Sequence, residues 1–146
     1  MSCIPEKAEF MRRAARGNLI PVWRELLADQ DTPVSAYERV RAALRAADPQ
    51  AHTFLLESVE GGEHIARYSF LGGHPRVTFR ARGRSVEFQY ADGRHETLEA
   101  DPLDALRDHM KRYVPVADPA LPRFLGGAVG YIGYDAVAQF ERVPLA

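Results

Sequence analysis

The chain has 146 residues, of which 46% are hydrophobic and 27% are charged. Its 19 basic and 20 acidic side chains leave a formal net charge of −1. These values are typical of a folded domain with its own hydrophobic core, and they exclude the broad positive field on which nucleic-acid binders and polybasic membrane anchors depend. No apolar stretch approaches the ~18 residues of a membrane span, so we expect neither nucleic acid nor a membrane as a partner.

The N-terminal residues favour a cytoplasmic protein. Cys3 is the one cysteine and cannot form an intrachain disulfide, which indicates a reducing compartment. Residues 1–16 carry several charged side chains and lack the apolar run of a secretory signal.

The first 50 residues predict two helices with an extended segment between them. Residues 5–16 form a short helix that ends at Gly17. Residues 19–26 are rich in strand formers but contain a proline, which predicts an edge strand or an extended segment. Residues 33–47 have apolar side chains at helical spacing, and Thr32 is a typical N-cap for this second helix.

Two strands are predicted next. Residues 52–59 form an unbroken apolar run that ends in a carboxylate and a hydroxyl, which predicts a strand buried on both faces. Residues 66–71 predict a second strand, which the glycines at 72 and 73 bring to an end.

A β-hairpin is predicted where apolar and polar residues begin to alternate at residue 76. A two-residue turn with Gly83 in first position, as a type II′ turn prefers, sets Phe79 opposite Phe88 and Arg80 opposite Glu87. Both cross-strand pairs are favourable, which supports this register.

The turn that follows allows two registers. A two-residue Asp-Gly turn would set Leu98 opposite Glu87 on the wet face of the sheet. A three-residue loop with Gly93 in the left-handed conformation sets Leu98 opposite Val86 on the apolar face, and we predict this second register.

One helix and one strand complete the prediction. Asp101 caps a helix that begins at Pro102 and ends before Pro115. Residues 124–135 are apolar and glycine-rich, which predicts a buried strand that another backbone approaches closely. The whole order predicts an α+β fold, an antiparallel β-sheet with helices packed on one face.

The polar residues that end the first of these strands form the candidate site. Glu57 and Ser58 follow a buried strand, and a buried carboxylate or hydroxyl costs free energy unless it is paired. One alternative is an internal partner, Arg67 for Glu57 and a main-chain group for Ser58. The other is an amino-acid ligand, with its ammonium on Glu57, its carboxylate on Ser58 or Ser69, and its side chain on Leu56 and Phe70.

No other pattern predicts a catalytic centre. The histidines lack metal-ligand spacing, and no serine or cysteine lies in a nucleophile motif. We therefore expect no catalytic residue, metal or cofactor in this segment. The arginines at the hairpin are interpreted as a solvated face rather than a phosphate site.

Four stretches of the sequence resemble the N-terminal region of anthranilate synthase component I, the large subunit of that enzyme. They are residues 21–25 (PVWRE), 53–60 (TFLLESVE), 62–72 (GEHIARYSFLG) and 126–135 (GGAVGYIGYD). The last of these is shared with aminodeoxychorismate synthase, so the equivalent region of that enzyme is an alternative.

The resemblance implies a function and a larger fold. Residues 1–146 would be the N-terminal domain of a two-layered α/β/β/α chorismate enzyme, a lyase of tryptophan biosynthesis, without the C-terminal chorismate-binding domain. The complete family protein makes anthranilate and pyruvate from chorismate with Mg²⁺, takes ammonia from a glutamine amidotransferase subunit, and is inhibited by L-tryptophan. This segment alone would not be catalytic.

The resemblance also implies which residues bind the inhibitor. Feedback inhibition in the family depends on the Leu-Leu-Glu-Ser element, so the predicted L-tryptophan site comprises Leu56, Glu57, Ser58, Tyr68, Ser69 and Phe70. The competing hypothesis is a structural or interaction segment with no ligand of its own, which would dock on the C-terminal domain or the amidotransferase.

Overall fold

The computed structural model describes residues 3–57, 68–122 and 124–137. These residues form helices α1 (Lys7–Ala14), α2 (Pro33–Ala47) and α3 (Pro102–Met110), and strands β1 (Thr53–Leu56), β2 (Phe70–Gly73), β3 (Val77–Arg82), β4 (Ser85–Tyr90) and β5 (His95–Glu99). The α+β class and the antiparallel pairing are confirmed. The strands nevertheless form two sheets, β1-β2 and β3-β4-β5, where one was predicted.

Helix α2 has the predicted bounds because its N-terminus is capped as the sequence indicated. The Thr32 hydroxyl accepts a hydrogen bond from the Ser35 amide at 3.1 Å, and the Ser35 hydroxyl accepts one from the Thr32 amide at 2.9 Å. This reciprocal pair satisfies two amide donors that a helix start would otherwise leave open. Helix α1 is shorter than the predicted residues 5–16 at both ends.

The β1-β2 pair packs against α2 and is less buried than predicted. The Tyr37 and Thr53 hydroxyls lie 3.0 Å apart and join the helix to β1. Leu56, the last residue of β1, is 44% exposed, so the prediction of a strand buried on both faces is wrong. A helix covers a two-stranded sheet from one side, which leaves part of β1 open.

Strand β2 begins and ends later than predicted. It pairs residue by residue with β1, from Leu56 opposite Phe70 to Thr53 opposite Gly73. The glycines therefore belong to the strand instead of ending it. Close packing explains why: a Cβ at Gly73 would lie 2.4 Å from the Leu44 side chain of α2.

The three-stranded sheet has the predicted registers. Phe79 lies opposite Phe88, and Val86 lies opposite Leu98. Gly83 and Gly93 have φ of +56° and +87°, the left-handed conformations that the two turns require.

The best-buried core lies between this sheet and α3. Val86 is completely buried, and Phe88 is 4% exposed. The ring of His109 on α3 stacks on Phe88, with 4.7 Å between ring centroids. As predicted, Asp101 caps this helix, and its carboxylate accepts hydrogen bonds from the amides of Leu103 and Asp104 at 2.9 and 3.1 Å.

The segment after α1 is extended, as predicted, and forms only isolated bridges. Trp23 pairs with Ile4, and Leu19 pairs with Pro115. The Asn18 side chain donates to the Arg112 carbonyl at 2.7 Å and accepts from the Val114 amide at 2.6 Å. These contacts tie the N-terminal third of the chain to the segment that follows α3.

The prediction of a buried strand at residues 124–135 is wrong. The structure places no strand in the part of this stretch that it describes, and a single 3-10 turn lies at Tyr134–Ala136. Tyr131 and Tyr134 are 95% and 89% exposed. An apolar run forms a strand only beside a hydrogen-bonding neighbour, and none of the described strands pairs with it.

Candidate functional site

The predicted site residues meet at one end of the β1-β2 pair. Because Leu56 pairs with Phe70 in an antiparallel register, the residue after β1 and the residues before β2 leave the sheet at the same end. Glu57 is the first of these, and Tyr68 and Ser69 are the others. Five of the six predicted residues are thus brought together. The sixth, Ser58, lies outside the described residues.

The polar groups at this end are open to solvent. Glu57 and Ser69 are both exposed. Within residues 3–57, 68–122 and 124–137, no side chain forms a hydrogen bond or an ion pair with the Glu57 carboxylate. Arg67, the internal partner considered for Glu57, lies outside the described residues, so the prediction of that pair stays a prediction.

The apolar groups of the site form a row of aromatic rings. Tyr68 and Phe70 have ring centroids 6.0 Å apart and planes inclined at 33°. Phe70 and Phe124 have centroids 5.1 Å apart and planes at 83°, an edge-to-face contact. Leu56 is paired with Phe70 across the strands and is part-exposed. This end of the sheet therefore combines a carboxylate, a hydroxyl and a partly exposed aromatic and aliphatic surface.

Sequence reasoning did not find Phe124. The sequence predicted that Phe124 lies in a buried strand. In the sequence, β3, β4, β5 and α3 all lie between Phe70 and Phe124. No local spacing links two residues so far apart in the chain. The available signal was its position just ahead of the glycine-rich stretch that resembles the family.

Glycines hold the strand pair close to its neighbours. A Cβ at Gly72 would lie 2.7 Å from Cε1 of the Phe54 ring. A Cβ at Gly73 would lie 2.4 Å from Leu44 and 3.1 Å from the His52 carbonyl oxygen. Real Cβ atoms essentially never lie within 3.0 Å of another atom, so these two glycines permit the close packing of β2 against β1 and α2.

Two concavities elsewhere on the chain are not lined by any of the predicted site residues. One, of about 370 Å³, crosses the outer face of the three-stranded sheet and includes Arg80, Arg82 and Glu87. Glu87 contacts the Arg80 guanidinium at 3.7 Å and the His95 ring at 2.9 Å. These acidic and basic partners fit the interpretation of a solvated face.

The second concavity, of about 190 Å³, lies beside the turn between β4 and β5. Arg94 pairs with Asp92 at 2.9 Å, and its guanidinium lies 4.4 Å from the centre of the Tyr90 ring. The carboxylate and the ring thus engage Arg94 within the turn itself. The Arg94 hydrogen bonds lower the pKa of the Asp92 carboxyl.

Neither a metal-ligand group nor a membrane-spanning helix is found among the described residues. Among them, no three His, Cys, Asp or Glu side chains are grouped in a way that could hold a metal ion. The helices described here are too short and too polar to cross a lipid bilayer.

Comparison with known proteins confirms the predicted resemblance. No family model matches the chain. Its relatives include anthranilate synthase component 1 of Synechocystis, 42% identical over 97% of this chain and 27% of that protein. The Neisseria gonorrhoeae protein of the same name is 41% identical over 93% of this chain and 26% of its own length, and that of Acetivibrio thermocellus is 37% identical over 87% and 24%. The chain thus spans about a quarter of the length of the curated relatives it matches.

Proposed function

Since this chain is homologous to part of anthranilate synthase component 1, we propose that it is the segment of such an enzyme that binds the feedback inhibitor L-tryptophan. The site is the common end of β1 and β2. The observation that carries the proposal is the pairing of Leu56 with Phe70, which gathers an acid, a hydroxyl and aromatic rings at one end of the strand pair.

Each part of a free amino acid has a suitable partner at this site. The ammonium group suits the exposed Glu57 carboxylate, which accepts but cannot donate hydrogen bonds. The ligand carboxylate suits the hydroxyl of Ser69, together with that of Ser58. The indole ring suits the surface of Leu56 and the aromatic rings, because ligand sites combine apolar area with a few convergent polar groups.

The complete protein has further partners in this proposal. It would convert chorismate and ammonia into anthranilate, pyruvate and water with Mg²⁺ in a chorismate-binding domain. The word "component" in the relatives' names implies a second subunit, which we propose to be the glutamine amidotransferase that supplies the ammonia. Tryptophan and chorismate would then oppose each other reciprocally, with a coupling of about 1–3 kcal/mol.

The test of the site is calorimetric titration of the chain with L-tryptophan. Glu57→Gln removes the negative charge and keeps the shape of the side chain, so we expect about a tenfold loss of affinity, typical of a charge-assisted hydrogen bond. Glu99→Gln is the matched control, since Glu99 is an exposed carboxylate at the end of β5. It should bind tryptophan as the unsubstituted chain does.

Two results would contradict the proposal. One is the absence of binding in a sample whose cooperative thermal unfolding shows that it is folded. The other is an equal loss of affinity in both variants, which would mean that Glu57 acts only through the overall charge of the chain.

A second candidate function is supported by the exposed segment that follows Phe124. Tyr131, Ile132 and Tyr134 are 95%, 67% and 89% exposed, and contiguous apolar surface marks interaction sites. In this alternative the chain is a docking segment without a ligand, which contacts the rest of the enzyme. A folded chain that gives no heat with tryptophan would favour this alternative.

A further inference from the structure

We infer that Phe124 is the residue that makes this site selective for a flat aromatic side chain over an aliphatic one. The inference rests on the proposed function, because it concerns the same ligand site. It adds a residue from a distant part of the sequence to the six that the sequence predicted.

The geometry places Phe124 in the row of rings. Its ring meets that of Phe70 edge to face, with 5.1 Å between centroids and 83° between planes. Phe70 in turn lies 6.0 Å from Tyr68. Phe70 is therefore the ring that contacts both Tyr68 and Phe124, and Phe124 adds a third ring to the aromatic surface from a distant part of the sequence.

An aromatic ligand gains more from this surface than an aliphatic ligand does. Ring pairs prefer offset or edge-to-face contacts at 4.5–7 Å and contribute beyond the apolar area they bury. The Tyr68–Phe70 and Phe70–Phe124 pairs both fall in this range. An indole or phenyl group can contact these rings in the same geometry and gain the additional free energy of an aromatic pair. A leucine side chain gains only the free energy of burying its apolar area.

Phe124 is also the anchored residue of its segment. It is half-buried, whereas Leu125, Tyr131 and Tyr134, which follow it, are exposed. The glycines at 126 and 127 have φ of +145° and +139°, so the backbone changes direction directly after the anchor. The contact with Phe70 therefore holds this ring at the strand pair, whereas the apolar residues that follow it are exposed.

The experiment compares L-tryptophan with L-leucine in calorimetric titrations of the unsubstituted chain and its variants. In Phe124→Leu we expect the affinity for tryptophan to fall about 3- to 10-fold and that for leucine to change less than about 2-fold. Phe124→Tyr keeps the ring and should keep the preference for tryptophan. The control is Phe79→Leu, since Phe79 is half-buried and forms a similar ring pair, with Phe88, in the other sheet.

The outcomes separate this inference from the proposed function. If the unsubstituted chain binds tryptophan and Phe124→Leu keeps its preference, or if Phe79→Leu loses as much, the inference is wrong and the site stands. If the folded, unsubstituted chain binds no aromatic amino acid, both are wrong.

A second measurement needs no substitution. In the unsubstituted chain with labelled phenylalanine, we expect nuclear Overhauser contacts from the indole protons of bound tryptophan to the rings of both Phe70 and Phe124. Contacts to Phe70 without contacts to Phe124 would overturn the inference, even if Phe124→Leu does not fold.

Discussion

Gly17 is the position where one added methyl group should destabilise the chain most specifically. A Cβ there would lie 2.4 Å from the Val114 carbonyl oxygen and 2.9 Å from Cγ2 of Val116. The same carbonyl accepts hydrogen bonds from the amides of Asn18 and Leu19 at 3.1 and 3.2 Å. Gly17→Ala therefore pushes the extended segment away from the backbone that holds it.

The size of the effect follows from these contacts. Overpacking of this kind costs about 1–3 kcal/mol, and each backbone hydrogen bond weakened by the shift contributes about 1 kcal/mol net. We expect a loss of about 2–4 kcal/mol in the free energy of unfolding. With a urea dependence of about 2 kcal/mol per molar, in the middle of the usual range, the urea midpoint falls by roughly 1–2 M.

The assay is urea unfolding followed by circular dichroism. Gly130→Ala is the matched control, because a Cβ at Gly130 meets no atom within 4 Å. The control should change stability by no more than about 0.5 kcal/mol. Equal midpoints for the two variants would refute the reasoning, since they would show that the backbone around Val114 yields without cost.

Two further predictions concern the core beside α3. Phe88→Ala should lower the free energy of unfolding in urea by about 3–5 kcal/mol, because Phe88 is 4% exposed. Gln89→Ala is the control, since Gln89 lies at an exposed position of the same strand, and it should have little effect. A small loss of stability in both variants would count against the described core. Burial, with a smaller contribution from the charge of Arg112, lowers the pKa of His109 in the folded chain. The contribution of the neutral His109 ring to stability is therefore complete above about pH 6.5, the pKa of an unfolded histidine. This contribution is lost as the pH falls from that value towards the lower pKa of the folded chain. His109→Phe should reduce the loss of stability between pH 7 and 5 if the urea midpoint is followed with pH, and an unchanged pH profile would exclude His109 as its cause.

Local chemistry explains the parts of the fold that the sequence predicted. The turn glycines at 83 and 93 fix the registers of the three-stranded sheet within a few residues. Thr32 and Asp101 fix the starts of α2 and α3 through hydrogen bonds to residues two or three positions on. Each of these features depends on neighbours in the sequence, so a single sequence carries the information.

The parts that were wrong depend on residues far apart in the chain. Residues 124–135 have the composition of a buried strand, but a strand needs a paired neighbour, and composition does not supply one. The same reason applies to β1, which was correctly predicted as a strand but is less buried than predicted, since among the described strands it pairs only with β2. For the site, the sequence predicted the residues next to the strand ends and missed Phe124, which arrives through a tertiary contact.

Phe124 also connects the two candidate functions. Its ring contacts the ligand site through Phe70, and its backbone leads into the exposed apolar segment at residues 125–134. If tryptophan and a partner surface each change the position of the Phe124 ring, the two binding steps are thermodynamically linked, and the coupling between them is reciprocal. Ligand binding and docking are then not exclusive roles for this chain. The aromatic contact at Phe70 is the physical link through which each role would change the free energy of the other.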